Sequence, residues 1–387
     1  MVSDREIAGD ARAPADQKSP APPSVTSSAA RRLSLMALPF GGDSYTESFY
    51  SALAALGVEV RSGVLAGRWL LANLREVDYV HLHWPSFLYG APTRGTCLYR
   101  FSVFVFFLLL RRWRRIRLVW TVHNLYPHDR CVIPQLDRLA RWLLVRMADR
   151  FAIHGRSAAA EVQRIFPAVA DRTVLIEHGH WVDRYPRALS REAARSELDL
   201  LESDFVYLFV GLCKPYKNVH GLIRAFTALP GNGVLVIAGK FQDPAYEAEI
   251  RAAIAQSPKR IILHAGFIPD EKMQIYLGAA NIVVAPYLDV LTSGTAMLAL
   301  SFGRPVIAPR IGFLKDVVVD GCGVLYDPAA PDGLTDAMID GQAKSFDEEA
   351  ILAAAKSHSW EASARAFLEG LMPALKRGDA LPKPDLR

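Results

Sequence analysis

The stretch "VLTSGTAMLALSFGRPVIAP", Val290 to Pro309, places a polar Ser293-Gly294-Thr295 turn between two apolar segments. Residues 282–285 before the turn and 305–308 after it predict buried strands, and the apolar residues between them recur at helical spacing. Because a helix N-terminus offers free backbone N–H groups and positive potential, the turn predicts a phosphate site. An ordinary helix N-cap is the alternative, since Ser and Thr are common there for local reasons.

The size and composition of the chain indicate a globular protein of two domains. Its 387 residues are too many for one ordinary core, and 51% are hydrophobic against 22% charged. The four cysteines are widely separated without a Cys-x-x-Cys pair, which argues against a zinc site or a disulfide framework and fits a reducing compartment. Residues 1–30 predict a disordered tail without the pattern of a secretory signal, so we expect a cytoplasmic protein.

Basic charge is concentrated in one place. The net charge is +5, and five arginines fall within residues 111–117. The apolar run 101–110 before them is too short to span a bilayer, which needs about 20 residues. Aromatic side chains beside a basic cluster favour a helix that lies in an anionic membrane interface. The alternative is a helix packed on a sheet with solvated arginines at its end. The residues expected to contact lipid are Phe106, Phe107, Arg111, Arg112, Trp113, Arg114 and Arg115.

Short strand candidates alternate with helical segments in two blocks. This alternation predicts an α/β protein with two Rossmann-like domains that face each other across a cleft. We expect an N-terminal domain over 31–185 and a C-terminal domain over 186–358. A final helix and tail over 359–387 are expected to cross back to the N-terminal domain. Ligands of such sheets bind at the carboxyl ends of the strands.

Two lysines follow the first predicted strand of the second block, in the sequence "GLCKPYK" from Gly211 to Lys217. Lys214 and Lys217 therefore lie at the same sheet edge as the Ser293-Gly294-Thr295 turn. Lysine can neutralise a diphosphate while the turn donates hydrogen bonds to it. Solvent-exposed lysines are the usual alternative, but both features at one edge favour phosphate binding.

Histidines cluster at the ends of predicted strands, where six of the ten in the chain occur. This arrangement predicts a polar cleft with neutral donors and a base. A zinc site is not favoured, because the spacing of ligands and a supporting carboxylate are missing. An isolated histidine is more often structural, and strand alternation suggests that His81 is buried. The six are His81 and His83 in "YVHLHWP", His123 and His128 in "TVHNLYPHDR", and His178 and His180 in "EHGHW".

Several motifs are absent from the sequence. It has no Gly-x4-Gly-Lys-Ser/Thr P-loop, no Gly-x-Gly-x-x-Gly fingerprint and no Asp-x-Asp pair for a metal–nucleotide complex. Basic residues do not interleave with aromatic ones on a strand pair, so no nucleic-acid partner is expected.

Five motifs occur in an order that resembles a known family. They are "YVHLHWPSFL", "TVHNLYPHDR", "EHGHW", "GLCKPYK" and "PYLDVLTSGTAMLALSFGRPVIAP". Together they resemble the β-1,4-mannosyltransferases of bacterial exopolysaccharide assembly, such as those of xanthan biosynthesis. These are glycosyltransferases of the GT-B fold, with two Rossmann-like domains. The resemblance extends from about Leu33 to the helix at Trp360.

The resemblance implies a donor, an acceptor and a place for each. GDP-mannose is expected on the C-terminal domain, with its diphosphate near Lys217 and with Lys214 assisting. A lipid-diphosphate-linked oligosaccharide is expected to enter from the membrane side of the N-terminal domain. The arginine-rich stretch then implies a peripheral anchor at the inner face of the cell membrane. The implied donor-binding residues are Gly211, Lys214, Tyr216, Lys217, Tyr287, Ser293, Gly294 and Thr295.

One departure from the wider fold family bears on the mechanism. Many retaining GT-B enzymes carry two glutamates where this chain has Val290 and Leu298, so direct inversion is favoured. In-line displacement needs a base for the acceptor hydroxyl and a cation for the departing diphosphate, and neither a metal nor a cofactor is expected. A second departure is Asn218, where glycine often follows the lysine. The candidate catalytic residues are Asp129, His123, His83 and Asp43. For His123, a hydrogen bond to the donor sugar is the alternative role.

Other functions remain open at the level of sequence. One is a transferase of the same fold that uses a UDP-sugar, glucuronosyl or glucosyl. Another is a GT-B-fold sugar-nucleotide epimerase, which needs no acceptor and no membrane. A third is a non-catalytic subunit that binds no nucleotide.

Overall fold

The computed structural model describes residues 32–38, 42–64, 73–74, 77–127 and 131–375. The predicted tail and the candidate base Asp129 lie outside the described residues. Two six-stranded sheets occur in the described part of the chain, and every recorded strand pairing in them is parallel. The α/β architecture predicted from the alternating pattern is confirmed.

The first sheet has the strand order β2-β1-β3-β4-β5-β6. Helices cover both of its faces, which is why residues such as those of β1 are buried throughout. The strand order reverses between β1 and β3. Ligands of such sheets bind at the carboxyl ends of the strands on either side of the reversal. The strands are β1 (Ser34–Leu38), β2 (Glu59–Ser62), β3 (Tyr79–Leu82), β4 (Arg117–Thr121), β5 (Arg150–His154) and β6 (Thr173–Ile176). The helices are α1 (Ser44–Ala55), α2 (Ser86–Tyr89), α3 (Arg94–Trp113), α4 (Pro134–Met147) and α5 (Arg156–Ile165).

The second sheet has the order β12-β11-β10-β7-β8-β9, so its reversal lies between β7 and β10. Its strands are β7 (Phe205–Val210), β8 (Gly233–Gly239), β9 (Arg260–Ala265), β10 (Ile282–Val284), β11 (Val306–Pro309) and β12 (Gly323–Tyr326). The helices are α6 (Arg191–Ser196), α7 (Val219–Ala228), α8 (Pro244–Gln256), α9 (Met273–Ala279), α10 (Gly294–Ser301), α11 (Leu314–Val317), α12 (Gly333–Ala343) and α13 (Glu348–Lys356).

The last helix, α14 (Trp360–Leu375), packs against α1 and β6 of the first sheet. The ring of Phe367 meets that of Phe49 edge-on, with centroids 5.3 Å apart. The indole of Trp360 donates a hydrogen bond of 2.7 Å to the carbonyl of His180. The last helix therefore completes the core around the first sheet. The domain boundaries at 185 and 358 stay predictions.

The residues expected to contact lipid, in and just after α3, are partly exposed and partly buried. Phe106 and Trp113 are 44% and 78% exposed, and Arg112 and Arg115 are also exposed. Arg114 is partly exposed. The exposed apolar residues Leu98, Tyr99, Phe106, Leu109 and Trp113 follow one stripe of the helix.

The predictions for Phe107 and Arg111 were wrong, since both side chains are buried. Phe107 belongs to the core, four residues before Arg111 on the same face of the helix. Arg111 donates a 2.6 Å hydrogen bond to Asp149 and also donates to the carbonyl of Met147. Neither side chain is available to lipid. No helix in the described part of the chain is both long and apolar enough to cross a bilayer.

The sequence argued against a disulfide framework, and the four cysteines form a single pair. Cys97 on α3 and Cys131 just before α4 are paired, 34 residues apart in sequence. The packing of these two segments brings the thiols together, and sequence spacing does not reveal it. Cys213 and Cys322 are free and buried.

Candidate active site

Three donor-site candidates converge at the reversal of the second sheet. Gly211 follows β7 with φ +122°, a conformation that favours glycine. A Cβ built there would lie 3.3 Å from Lys217 Nζ and 3.5 Å from Thr295 Oγ1. The loop after β7 and the N-terminus of α10 therefore meet around this glycine, as the sequence predicted.

The ammonium of Lys217 is available for an anion. Its Nζ lies 5.3 Å from the centroid of the Tyr287 ring, a cation–π distance, and Tyr287 is buried. No residue in the described part of the chain forms an ion pair with Lys217. The backbone N–H of Leu288 donates a 2.9 Å hydrogen bond to the carbonyl of Tyr216, which ties the two loops together. Lys214, in the same loop, is half-buried.

The three residues of the Ser293-Gly294-Thr295 turn make different contacts. The Ser293 hydroxyl accepts a 3.2 Å hydrogen bond from the N–H of Ala296, so the N-cap alternative holds for this side chain. A Cβ on Gly294 would lie 3.3 Å from the Trp181 ring, which explains the small residue. Thr295 lies nearest Gly211, and the first N–H groups of α10 supply the positive end of a helix.

A chain of hydrogen bonds joins the ends of strands in the first sheet. The Tyr50 hydroxyl lies 3.0 Å from His81 Nδ1 and 2.7 Å from His83 Nε2. His83 Nδ1 lies 2.9 Å from His123 Nε2, and His81 Nε2 lies 2.7 Å from Thr121 Oγ1. The five side chains form one path from Thr121 through Tyr50 to His123. His83 and His123, both predicted at the site, are in direct contact.

Burial keeps these histidines neutral. Desolvation, followed by the influence of neighbouring histidines, holds the pKa of His81, His83 and His123 well below the ordinary value of 6.5. A neutral histidine in such a chain has one donor and one acceptor nitrogen. If the Tyr50 hydroxyl donates to His81 Nδ1, then Tyr50 accepts from Nε2–H of His83. His83 Nδ1 then carries no proton and accepts from Nε2–H of His123. His123 is then left with an unprotonated Nδ1, which no described residue hydrogen-bonds.

The other candidate bases differ in their surroundings. Asp43 is the N-cap of α1, where its carboxylate accepts hydrogen bonds of 2.8 Å from the N–H and from the hydroxyl of Thr46. Burial raises the pKa of Asp43. Asp129 lies outside the described residues. Asp43 therefore has a local structural role, and its catalytic role stays a prediction.

The two sheet edges are connected directly. The Thr292 hydroxyl, one residue before Ser293, donates a 2.8 Å hydrogen bond to the carbonyl of His123. Ser157, at the start of α5, donates from its N–H and its hydroxyl to Asp316, at 2.9 and 2.6 Å. The segment that leads into α10 therefore lies directly beside His123.

A small recess of about 40 Å³ opens beside His123. The Trp84 indole stacks on the His123 ring, with centroids 4.6 Å apart. Asn124, Tyr89 and the buried Arg141 also line this recess. Sequence reasoning missed Tyr50, Thr121 and Arg141, because nothing in their local sequence indicates a polar site.

Comparisons with known proteins bear on the class of protein and its fold. Residues 204–341, which contain the donor loops, match the family model "Glycosyl transferases group 1". The GDP-mannose:glycolipid 4-beta-D-mannosyltransferase of Xanthomonas campestris pv. campestris is 27% identical over 70% of this chain and 72% of its own length. The D-inositol 3-phosphate glycosyltransferase of Corynebacterium glutamicum is 29% identical over 66% of each chain. The crystal structure of Anabaena HepE with UDP and glucose has a TM-score of 0.64 and 15% identity, over 89% of this chain and 100% of that one.

The protein is a glycosyltransferase with the GT-B fold, as its two Rossmann-like sheets, its group 1 domain and its relatives show. Within that class it resembles the GDP-mannose:glycolipid 4-β-D-mannosyltransferases, as its motifs suggested.

Proposed function

We propose that this glycosyltransferase moves mannose from GDP-mannose, with inversion and without a metal, onto a lipid-diphosphate-linked oligosaccharide. In exopolysaccharide assembly, such a glycan is built at the inner face of the cell membrane. The observation that carries the proposal is the meeting of Lys217, Thr295 and Gly211 at the start of α10, next to Thr292, which is hydrogen-bonded to His123. The name of the Xanthomonas relative supports the choice of donor and of a glycolipid acceptor.

On the donor side, charge develops on the diphosphate as its bond to the sugar breaks. Lys217 is placed to neutralise that charge, and the N–H groups at the start of α10 add hydrogen bonds and positive potential. Because Gly211 has no Cβ, a phosphate held by Lys217 Nζ and Thr295 Oγ1 can also approach the backbone there. These groups fulfil the role that a divalent cation has in other transferases.

On the acceptor side, we assign the base to His123. Its Nδ1 takes the proton of the attacking hydroxyl, whose oxygen bonds to the anomeric carbon as the diphosphate departs from the opposite face. When Tyr50 donates to His81, His83 Nδ1 accepts from Nε2–H of His123, and this contact holds His123 in the tautomer in which Nδ1 is free. Tyr50 and His81 hold His83 in turn, as positioning residues.

The exposed stripe of α3 supports a peripheral membrane role. Large side chains such as Leu109 and Trp113 are 58% and 78% exposed, and Arg112 and Arg115 flank them. Apolar and aromatic groups beside arginine are suited to the headgroup region of an anionic bilayer. The stripe belongs to the domain that holds His123, so a lipid-linked acceptor would meet the base from the membrane side.

A donor and product assay tests the proposal. Purified protein is incubated with a lipid-diphosphate-linked glycan and with GDP-mannose, UDP-glucose or UDP-glucuronate. We expect release of the nucleotide from GDP-mannose and none from either UDP-sugar, and a β-linked product by NMR. Release of UDP instead would replace the donor, and an α-linked product would contradict inversion. Conversion of the nucleotide sugar without any acceptor would indicate an epimerase.

A further inference from the structure

Three arginines in the described part of the chain are buried, and they differ in their partners. Arg195 donates to four backbone carbonyls and to Asn281. Arg111 donates to Asp149 and to backbone carbonyls. Arg141 on α4 is 8% exposed, yet no residue in the described ranges accepts a hydrogen bond from its guanidinium, and its Nε is buried without a partner. Burial of a charge without hydrogen bonds costs free energy of folding. A ligand that accepts hydrogen bonds from Arg141 would offset that cost.

The surroundings of Arg141 leave its edge free. Its guanidinium carbon lies 4.3 Å from the centroid of the Tyr126 ring, so one flat face is covered by an aromatic ring. Stacking of this kind does not use the N–H groups, which point outward in the plane of the guanidinium. Arg141 also lines the recess beside His123 and Trp84. A free, rigid fork of donors therefore borders the space that the acceptor would occupy.

The carboxylate of Asp137 has partners other than Arg141. Asp137, one turn earlier on α4, accepts 2.9 Å from the Tyr89 hydroxyl and 3.0 Å from the N–H of Cys131. It forms no ion pair with Arg141 within the described part of the chain. Burial lowers the pKa of the Arg141 guanidinium, while Tyr89, Tyr126 and Asp137 oppose that shift. A bound anion would offset the electrostatic cost of this burial.

We propose that Arg141 binds a carboxylate or phosphate group on the acceptor, within about one sugar of the hydroxyl that His123 activates. The inference rests on the proposed function, because it places the acceptor in this recess. A planar guanidinium pairs with two oxygens of either anion at once, which gives both affinity and orientation. His123 and Arg141 both line the recess, so an anionic group held by Arg141 would lie close to the base. One group of relatives is named for a phosphorylated acceptor, inositol 3-phosphate.

Transfer to three matched acceptors tests the site. They are octyl glucoside, octyl glucuronide and the octyl phosphodiester of glucose 1-phosphate, which are neutral, carboxylate and phosphate probes. We expect the wild-type enzyme to favour one charged acceptor at least tenfold in kcat/KM, and Arg141→Gln to reduce that preference below twofold. The KM for the donor should not change. Arg138→Gln, which removes an exposed arginine from the same helix, is the matched control and should keep the preference.

Direct binding separates this inference from the proposed function. Calorimetry with the two charged probes needs no turnover, and a Lys217→Ala background removes the donor-side cation. Binding that Arg141→Gln abolishes supports the anion site even if no sugar is transferred. Equal losses of activity on neutral and charged acceptors, or no binding of either anion, would overturn it. Should Arg141→Gln fail to fold, Arg141→Lys keeps the charge without the fork and should lower the preference about threefold.

Discussion

The reversal point of the first sheet holds neutral histidines, whereas that of the second holds a lysine and a helix N-terminus. Both sheets place these groups at the carboxyl ends of parallel strands, where a doubly wound fold binds its ligands. At the first, burial depresses the pKa of His83 and His123 and keeps both rings unprotonated. At the second, Lys217 is half-buried and stays available for an anion. Under the proposed function, the same architecture separates proton transfer from stabilisation of the leaving group.

The largest expected effect is at His123. His123→Ala removes the base, so kcat should fall about 10²- to 10⁴-fold, the usual contribution of general base catalysis. Affinity for GDP should change little, because the donor loops belong to the other sheet. Steady-state kinetics and calorimetry measure the two quantities separately. An unchanged kcat would move the base to Asp43 or to Asp129.

Removal of the donor-side cation should cost slightly less. Lys217→Ala should lower kcat/KM about 10²- to 10³-fold, as expected when one group that stabilises developing negative charge is lost. Both the donor KM and kcat should change, because the lysine acts in binding and in departure of the diphosphate. Lys272→Ala, at an exposed lysine of the same domain, should behave as wild type. Equal effects of the two substitutions would show that only net charge matters.

The hydrogen-bonded chain behind the base should have a smaller effect. Tyr50→Phe removes the hydroxyl that bridges His81 and His83, which is worth about a tenfold loss of kcat for one hydrogen bond. The pH dependence of kcat should change as well, because the tautomer of His123 is no longer fixed. A packing role alone would lower stability without altering the pH profile.

Acid should destabilise the first domain more than the second. The pKa values of five buried histidines are lowered, that of His178 to about 4, so they stay neutral in the fold. In the unfolded chain they bind protons near pH 6.5. Stability is therefore present above that pH and is lost as pH falls below it, by up to about 1.4 kcal/mol per histidine and pH unit. His154→Leu should reduce this slope by one histidine in urea unfolding experiments, and an unchanged slope would contradict the assignment.

The smallest effect should come from the helix surface. Arg112→Ser should weaken partition into vesicles with phosphatidylglycerol about fivefold, since one arginine near an anionic surface is worth about 1 kcal/mol. Arg224→Ser, at an exposed arginine of the second domain, is the control and should leave partition unchanged. Flotation with vesicles measures both. Equal losses would indicate attraction by net charge and not through α3.

Local sequence was enough to predict the sheets and the meeting of the loop after β7 with the turn before α10, because periodicity and turn residues lie within short segments. Lys217 and Thr295 were found in this way. Contacts made by packing were not predictable from spacing. Tyr50 and Arg141 lie in helices with an amphipathic sequence pattern. Their polar roles depend on residues from other elements, such as His83 beside Tyr50 and His123 in the recess beside Arg141. The errors at Phe107 and Arg111 came from treating 101–117 as one surface, although helical spacing puts both residues on the buried side.

A crystal structure with bound GDP-mannose tests the central claim most directly. The account predicts the diphosphate between Lys217 Nζ and the first N–H groups of α10 (Gly294–Ser301), with the sugar directed towards His123. Density for the nucleotide at another place in the molecule, with the space at Gly211 empty, would contradict it.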